Sequence, residues 1–381
     1  MNHAVRLLYL VFFLVISMAA VAKPLPTPEA PSLDARSYIL IGYASGQTLA
    51  AKNPDKQVEP ASITKLMTTY IVFDEIKQGH LSPDEKVTIS KKAWQMGGSK
   101  MFIEVGSQVS VDKLLHGMVT ASGNDATVAL AEHVAGTEST FTDYMNQYAR
   151  ELGMTNSHFM DASGWPHDNH LMSARDIATL MGALIRDFPD LYDKYFHEQK
   201  FTYNGIEQYN RNSLLWSDDS VDGGKTGHTE SAGYCLTASA KRDDMRVISV
   251  VTGTDSNSAR KSQSAALLNY AFRFFETGKL FDSGKQISEL RVWKGDQTTL
   301  PVVADGAVNI TYPRGQRDAL TTSAELPSHL SAPVKKGDRL GTLNVKYNGE
   351  LLEGVPLYAG KSINEGGIFR QLSDEFWMLF E

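Results

Sequence analysis

The sequence predicts an α+β protein in two parts: a sheet flanked by helices, then a small all-β domain. Three observations carry that expectation. Strand-like runs open and close residues 35–280, at 38–42 and 47–51 in front and at 234–240 and 247–251 behind. Between them, apolar residues recur at helical spacing. Beyond Leu280 the pattern changes to short strands with turn signals, from Gln286 to about Tyr358.

The elements follow in order. Residues 23–31 hold four prolines in nine positions and begin an extended linker reaching residue 34. The first two strands flank a Tyr-Ala-Ser-Gly turn. A helix over 62–78 carries Leu66, Met67, Tyr70, Ile71 and Phe73 and stops at Gly79. Helices follow over 111–119, over 125–134 with Gly136 as its stop, and over 141–152 before Gly153. Ser173-Ala-Arg-Asp176 resembles a capping box opening a helix to about Arg186. A last helix, about 258–276, completes the first domain. The all-β part, 281–365, has no cluster of nucleophile, base and acid, and takes a spacing or docking role. In the terminal segment, 366–381, Ile368, Phe369, Leu372, Phe376, Leu379 and Phe380 share one helical face, with Trp377 beside it. Asp374, Glu375 and Glu381 oppose a lone Arg370 on the other face. Two readings stay open: a helix lying in a membrane interface, or one packed on the protein's own surface or on another subunit.

Composition narrows the function. The chain has 381 residues, 42% hydrophobic and 21% charged, enough for two folded domains. A net charge of -7 without a dense Lys/Arg block argues against a nucleic-acid partner. Arg6, the apolar run 7–16 and Ala20-Val21-Ala22 make residues 1–22 read as a secretory signal peptide; an uncleaved anchor is the alternative. Either places the body of the protein outside the cytoplasm. Cys235 is the only cysteine, which excludes an intramolecular disulfide and a zinc–thiolate cluster. It reads as a buried strand residue.

Chemistry concentrates in three short strings. Ser62-Ile-Thr-Lys65 puts a hydroxyl and an amine three residues apart on one helical face. A desolvated lysine can take the proton of such a serine and make it a nucleophile. Ser122-Gly-Asn124 lies between two helical segments, where a glycine turn presents a second hydroxyl and an amide. Lys225-Thr-Gly227 precedes the strand 234–240. Each string is common alone; the three in this order are far more specific.

With these strings the chain resembles the low-molecular-mass penicillin-binding proteins, specifically the D-alanyl-D-alanine carboxypeptidases, whose signatures are S-x-x-K, S-x-N and K-T-G. Residues 60–67, 122–126, 210–216, 225–229 and 272–276 carry the likeness. The resemblance implies a penicillin-binding-protein/β-lactamase-like domain with an antiparallel sheet, an acyl-enzyme on Ser62 and no cofactor or metal. It implies Lys65 as base, Ser122 as proton relay, Asn124 holding the peptide amide and orienting Lys65, and Lys225 as the second cation. Backbone N–H groups of Ser62 and His228 would form the oxyanion hole. Thr226, Gly227, His228 and Arg260 would bind substrate, Arg260 and the Thr226 hydroxyl taking the terminal carboxylate. Arg211 adds positive potential or makes a structural ion pair. The implied substrate is the peptidoglycan pentapeptide stem, the implied inhibitors are β-lactams, and the implied place is the periplasm, peripheral on the inner membrane.

Other residues read as structural. His80, His116, His158, His167, His170 and His197 lack metal-ligand spacing and suit surface or capping positions. The five tryptophans read as packing residues, and Asp222 as a cap on the turn before the Lys225 strand. Among rivals, a class A β-lactamase needs a glutamate that residues 161–169 do not contain, and Gly123 and His228 fit a carboxypeptidase better. A D,D-endopeptidase is opposed by the long β-rich tail, and a non-catalytic envelope protein by the intact set Ser62, Lys65, Ser122, Asn124 and Lys225.

Overall fold

A computed structural model describes residues 27–378. The signal peptide expected over 1–22, the start of the linker, and Leu379, Phe380 and Glu381 lie outside those residues.

Five antiparallel strands form the first sheet: β1 (Ser37–Gly42), β2 (Thr48–Lys52), β3 (Val221–Thr229), β4 (Gly233–Arg242) and β5 (Met245–Thr254), in the order β2-β1-β5-β4-β3. Successive strand residues point to opposite faces, and here both faces are covered. Ile39 packs into the cluster of the helical layer, whereas its neighbour Leu40 packs into the cluster beneath α7 (Asn257–Phe274). Near-continuous apolar strands are the result.

The helical layer comprises α1 (Lys65–Lys77), α2 (Val111–Val119), α3 (Asn124–Ala135), α4 (Glu138–Glu151), α5 (Ala174–Asp187) and α6 (Pro189–Phe196). Every residue of α1 from Lys65 to Phe73 is buried, so the helix is a core element without a solvent face at that end. Ser110, Thr137, Ser173 and Ser256 each accept a hydrogen bond from the third residue on, capping α2, α4, α5 and α7.

Three expectations change in detail. The helix expected from Ser62 starts as a 3-10 turn, Ala61–Thr64, and becomes α1 at Lys65. The capping box at Ser173 is one-sided, because the Asp176 carboxylate accepts instead from the Asn156 N–H at 2.8 Å and the Ser157 hydroxyl at 2.7 Å. The last helix of the first domain stops at Phe274, where Phe275 turns extended at φ -126°.

Residues Phe275–Phe281 form β6, which pairs with β9 (Val308–Pro313) of the second domain. The boundary expected near Leu280 therefore falls inside a strand that already belongs to the β-rich part. There β7 (Gln286–Trp293), β8 (Thr299–Ala304), β10 (Leu320–Glu325), β11 (Arg339–Tyr347) and β12 (Glu350–Ala359) form a second sheet around Leu290, Val302, Ile310, Val345 and Leu357.

The chain continues into α8 (Ile368–Trp377). Asp374 is buried, accepts from the Lys294 N–H at 2.6 Å and pairs with Arg370 at 3.2 Å, tying the helix to the β domain. Its apolar face is left open, with Ile368 74%, Phe369 92% and Leu372 62% exposed. Of the two readings of this segment, packing of that face on the protein's own surface does not occur among the described residues.

Candidate active site

The three strings converge. The 3-10 turn places the half-buried Ser62 where the cleft opens, and α1 carries Lys65 directly behind it, 1% exposed. Ala61 enters that turn at φ 49° and Ser122 stands at φ 60°, left-handed conformations that are costly outside glycine and typical of constrained functional sites. Close packing over-determines both. An added Cβ at Gly227 would lie 2.6 Å from the Pro60 carbonyl oxygen, so β3 runs hard against the serine turn. Lys225, Thr226 and Gly227 precede β4 as expected and are themselves part of a strand, β3, which pairs with β4 and lies at the edge of the sheet.

Lys65 Nζ has three neighbours: Ser62 Oγ at 2.8 Å, Asn124 Oδ1 at 2.7 Å and the Ser163 carbonyl at 2.8 Å. Two of these only accept. A neutral amine has two protons and one lone pair. Both protons are claimed by Asn124 and Ser163, so the lone pair is left for the Ser62 hydroxyl. Burial drives the Lys65 pKa down to about 7; the Asp161 and Asp125 carboxylates pull it up and Arg211 pushes it down.

Lys225, 3% exposed, donates to Ser122 Oγ at 2.9 Å. Burial, then the neighbouring charges of Lys65, Arg211 and Arg260, hold its pKa well below the usual lysine range. The second cation acting on Lys65 was expected to be Lys225. Lys225 and Lys65 repel one another, and Arg211 adds to the positive potential: it is exposed at the cleft and makes no ion pair among the described residues. Ser122 bonds Lys225 and makes no hydrogen bond to Ser62 or Lys65 among the described residues. Asn124 accepts from Lys65 through Oδ1, and its Nδ2 donates to the Gly97 carbonyl at 2.8 Å.

Substrate-side groups line a cleft of about 430 Å³ with Ser62, Ser122, Arg211, Thr226, Gly227, His228 and Arg260. Arg260 comes from α7, and its Nε donates to Asn257 at 2.9 Å while Nη1 reaches the Gly227 carbonyl at 3.2 Å. The His228 ring is exposed and lies 4.0 Å from that of Tyr234.

Some site features escaped the sequence reading. Ser163, which supplies an acceptor to Lys65, sits in a turn wrapped on Asp161; the string Asp-Ala-Ser-Gly is an Asx-turn signal that pointed there. Ser99, Tyr234 and Asn257 also line the cleft. His170, read as a surface or capping residue, is buried at 1% because the ring bridges Asp161 and Thr64. Only Trp293 of the five tryptophans is fully enclosed; Trp94, Trp165, Trp216 and Trp377 are 42–57% exposed. Asp222 does not cap a turn but lies in β3, pairing with Arg246 at 2.5 Å.

Comparison with known proteins gives the family. The family model for D-alanyl-D-alanine carboxypeptidase covers residues 25–256, and that for the C-terminal domain of penicillin-binding protein 5 covers 275–365. The chain belongs to the D-alanyl-D-alanine carboxypeptidase family. It is 43% identical to the D-alanyl-D-alanine carboxypeptidase DacC of Escherichia coli, over 93% of this chain and 90% of that one. It is 41% identical to DacA of Haemophilus influenzae, over 92% and 90%. The solved structure of penicillin-binding protein 5 from Haemophilus influenzae superposes with a TM-score of 0.84 at 40% identity, covering 89% of this chain and all of that one. The carboxypeptidase fold, with its antiparallel sheet and β-rich second domain, is thus the fold of this chain, and the family's members are hydrolases.

Proposed function

We propose that this D-alanyl-D-alanine carboxypeptidase acts through an acyl-enzyme on Ser62, with Lys65 as the base, on peptidoglycan stems that end in D-Ala-D-Ala. The arrangement around Lys65 Nζ carries the reading, since two carbonyl acceptors leave its lone pair to Ser62. The Ser62 proton passes to Lys65 as Oγ bonds to the carbonyl carbon of the penultimate D-alanine. Collapse of the tetrahedral adduct breaks the C–N bond, and the leaving amine takes the proton that Lys65 removed, relayed through the Ser122 hydroxyl that Lys225 holds. Water then gives a proton to neutral Lys65 and attacks the ester carbonyl, and Lys65 returns that proton to Ser62 Oγ as the ester C–O bond breaks, releasing the trimmed peptide. Backbone N–H groups of Ser62 and His228 hold the oxyanion, and losing one such donor costs on the order of 100- to 1000-fold. Arg260 and the Thr226 hydroxyl receive the terminal carboxylate, and β-lactams acylate Ser62 by the same attack.

The test is release of free D-alanine from a pentapeptide ending in D-Ala-D-Ala, run beside labelling by a fluorescent penicillin. Wild type should do both and Ser62→Ala neither. A folded wild type that takes no label, or a Ser62→Ala variant that does, refutes the reading. Cleavage confined to cross-linked muropeptides would make the enzyme an endopeptidase.

The same reading places the enzyme in the periplasm, peripheral on the outer face of the inner membrane through α8. The exposed face of Ile368, Phe369, Leu372, Phe376 and Trp377 supports it. Among the described residues no helix is long and apolar enough to cross a membrane. Co-sedimentation with phospholipid vesicles should be lost on truncation after residue 366; unchanged binding would overturn this attachment.

A further inference from the structure

Behind Lys65 lies a buried polar unit that the proposed mechanism does not use. Asp161 Oδ1 accepts from the Ser163 N–H at 2.7 Å, the Ser163 hydroxyl at 2.9 Å, the Gly164 N–H at 2.8 Å and the Trp165 N–H at 3.2 Å. Asp161 Oδ2 faces His170 Nδ1 at 3.1 Å, and His170 Nε2 meets the Thr64 hydroxyl at 2.9 Å. A carboxylate only accepts, so the Nδ1–H of His170 donates to Asp161. Thr64 is the residue before Lys65. The unit therefore grips both sides of the base: the turn that presents the Ser163 carbonyl, and the chain entering α1.

The turn is clamped from two more directions. Thr68 of α1 donates to the Ala162 carbonyl at 2.6 Å, and the Ala162 N–H donates to Glu138 at 3.2 Å. Gly164 closes the fit at φ +86°, where a Cβ would sit 1.8 Å from the Ala61 carbonyl oxygen.

We propose that Asp161, braced by His170, is a positioning residue for the reaction at Ser62: it shapes the turn whose Ser163 carbonyl holds Lys65 and places a carboxylate behind that contact. This rests on Lys65 being the base. The charged groups that face Lys65 are Asp161 from the turn, Asp125 from α3, Lys225 from β3 and Arg211 from the segment after the 206–209 strand. His170 and Glu138, the latter paired with Lys92 at 2.7 Å, stand behind the turn. Of these, the Asp161 carboxylate is the largest influence favouring the ammonium, in line with its place beside the Lys65–Ser163 contact.

The signs separate charge from scaffold. Asp161→Asn keeps an oxygen acceptor for the turn and removes the negative charge, so neutral Lys65 survives to lower pH. His170→Leu removes the donor that screens Asp161, so the ammonium persists to higher pH. The experiment is the pH dependence of the second-order rate of acylation by a fluorescent penicillin. The acidic limb should move down by about one pH unit in Asp161→Asn and up in His170→Leu, with His170→Gln restoring the wild-type limb; one unit is a tenfold change in neutral fraction. An unmoved limb in folded Asp161→Asn overturns the proposal, and if that variant does not fold, an unmoved limb in His170→Leu overturns it. Lys65→Ala is the separate control: rapid acylation by that variant refutes Lys65 as base, whatever the limbs do.

Discussion

Lys65 Nζ stands 2.8 Å from Ser62 Oγ, and each of its two other neighbours is a carbonyl oxygen. Protonated, the amine spends a proton on Ser62 and locks the hydroxyl as an acceptor. Neutral, it accepts the Ser62 proton. One titration therefore switches the pair off and on.

That switch fixes the acidic limb of activity. With a Lys65 pKa of about 7, acylation should rise tenfold per pH unit below 7 and level off above it. Arg211 opposes the ammonium, so Arg211→Gln should move the limb to higher pH. Stopped-flow acylation by a chromogenic cephalosporin from pH 5 to 9 reads both.

Stability should carry the mirror image of this effect. The unfolded lysine holds its proton up to about 10.5 and the folded one only to about 7. Folding thus releases a proton between these values, and the penalty of burying Lys65 is full below about 7 and fades towards 10.5. Lys65→Met removes that penalty but leaves two carbonyls unpaired, which costs about 1–3 kcal/mol each. The stability of the variant relative to wild type should therefore be greatest below pH 7 and decline as pH rises to 10.5. Urea titrations at pH 6, 8 and 10 measure it, and a difference independent of pH would contradict the burial argument.

Gly164→Ala should be among the most damaging single-methyl changes in the chain. The residue sits at φ +86° and the new methyl would meet the Ala61 carbonyl at 1.8 Å. Strain and overpacking together cost about 3 kcal/mol or more. Chemical denaturation should show that loss, and penicillin acylation should fall because Ala61 precedes the nucleophile.

Arg260→Lys tests the carboxylate seat. A fork held by Asn257 and the Gly227 carbonyl cannot be copied by an ammonium. The KM for a D-Ala-D-Ala peptide should rise by roughly 10- to 100-fold, the worth of about 1.5–3 kcal/mol for a charged hydrogen bond. A substrate amidated at its C-terminus should lose far less.

Much of this was legible in the sequence because the chemistry is local. Ser62 and Lys65 are one helical turn apart, Ser122 and Asn124 share one glycine turn, and Lys225 to His228 are one strand. Helix stops at Gly79, Gly136 and Gly153 were readable for the same reason, each being a left-handed glycine. What was missed depends on contacts distant in sequence. His170 is a surface residue by its neighbours and a buried one by its partners, Asp161 and Thr64. The role of Arg211 follows from its lack of a carboxylate partner, which no spacing reveals. Phe275 and Glu276 continue the pattern of the helix before them, yet pairing with Val308–Pro313 makes Phe275–Phe281 strand.

The position of β3 has a cost and a use that meet at one place. A free strand edge invites another chain to pair with it, and the first sheet has two. β2 is short, ends in Lys52, and its pairing slips beside Leu40, which blunts it as a template. β3 is nine residues long and its pairing slips only at its start, between Val221 and Gly223, but the serine turn and Ser122 wall the rest of it into a cleft. A folded neighbour is too broad to enter, whereas a single extended peptide is not. The shelter that keeps this protein from polymerising edge to edge is therefore also a size filter, passing loose peptide ends to Ser62 and turning away folded surfaces.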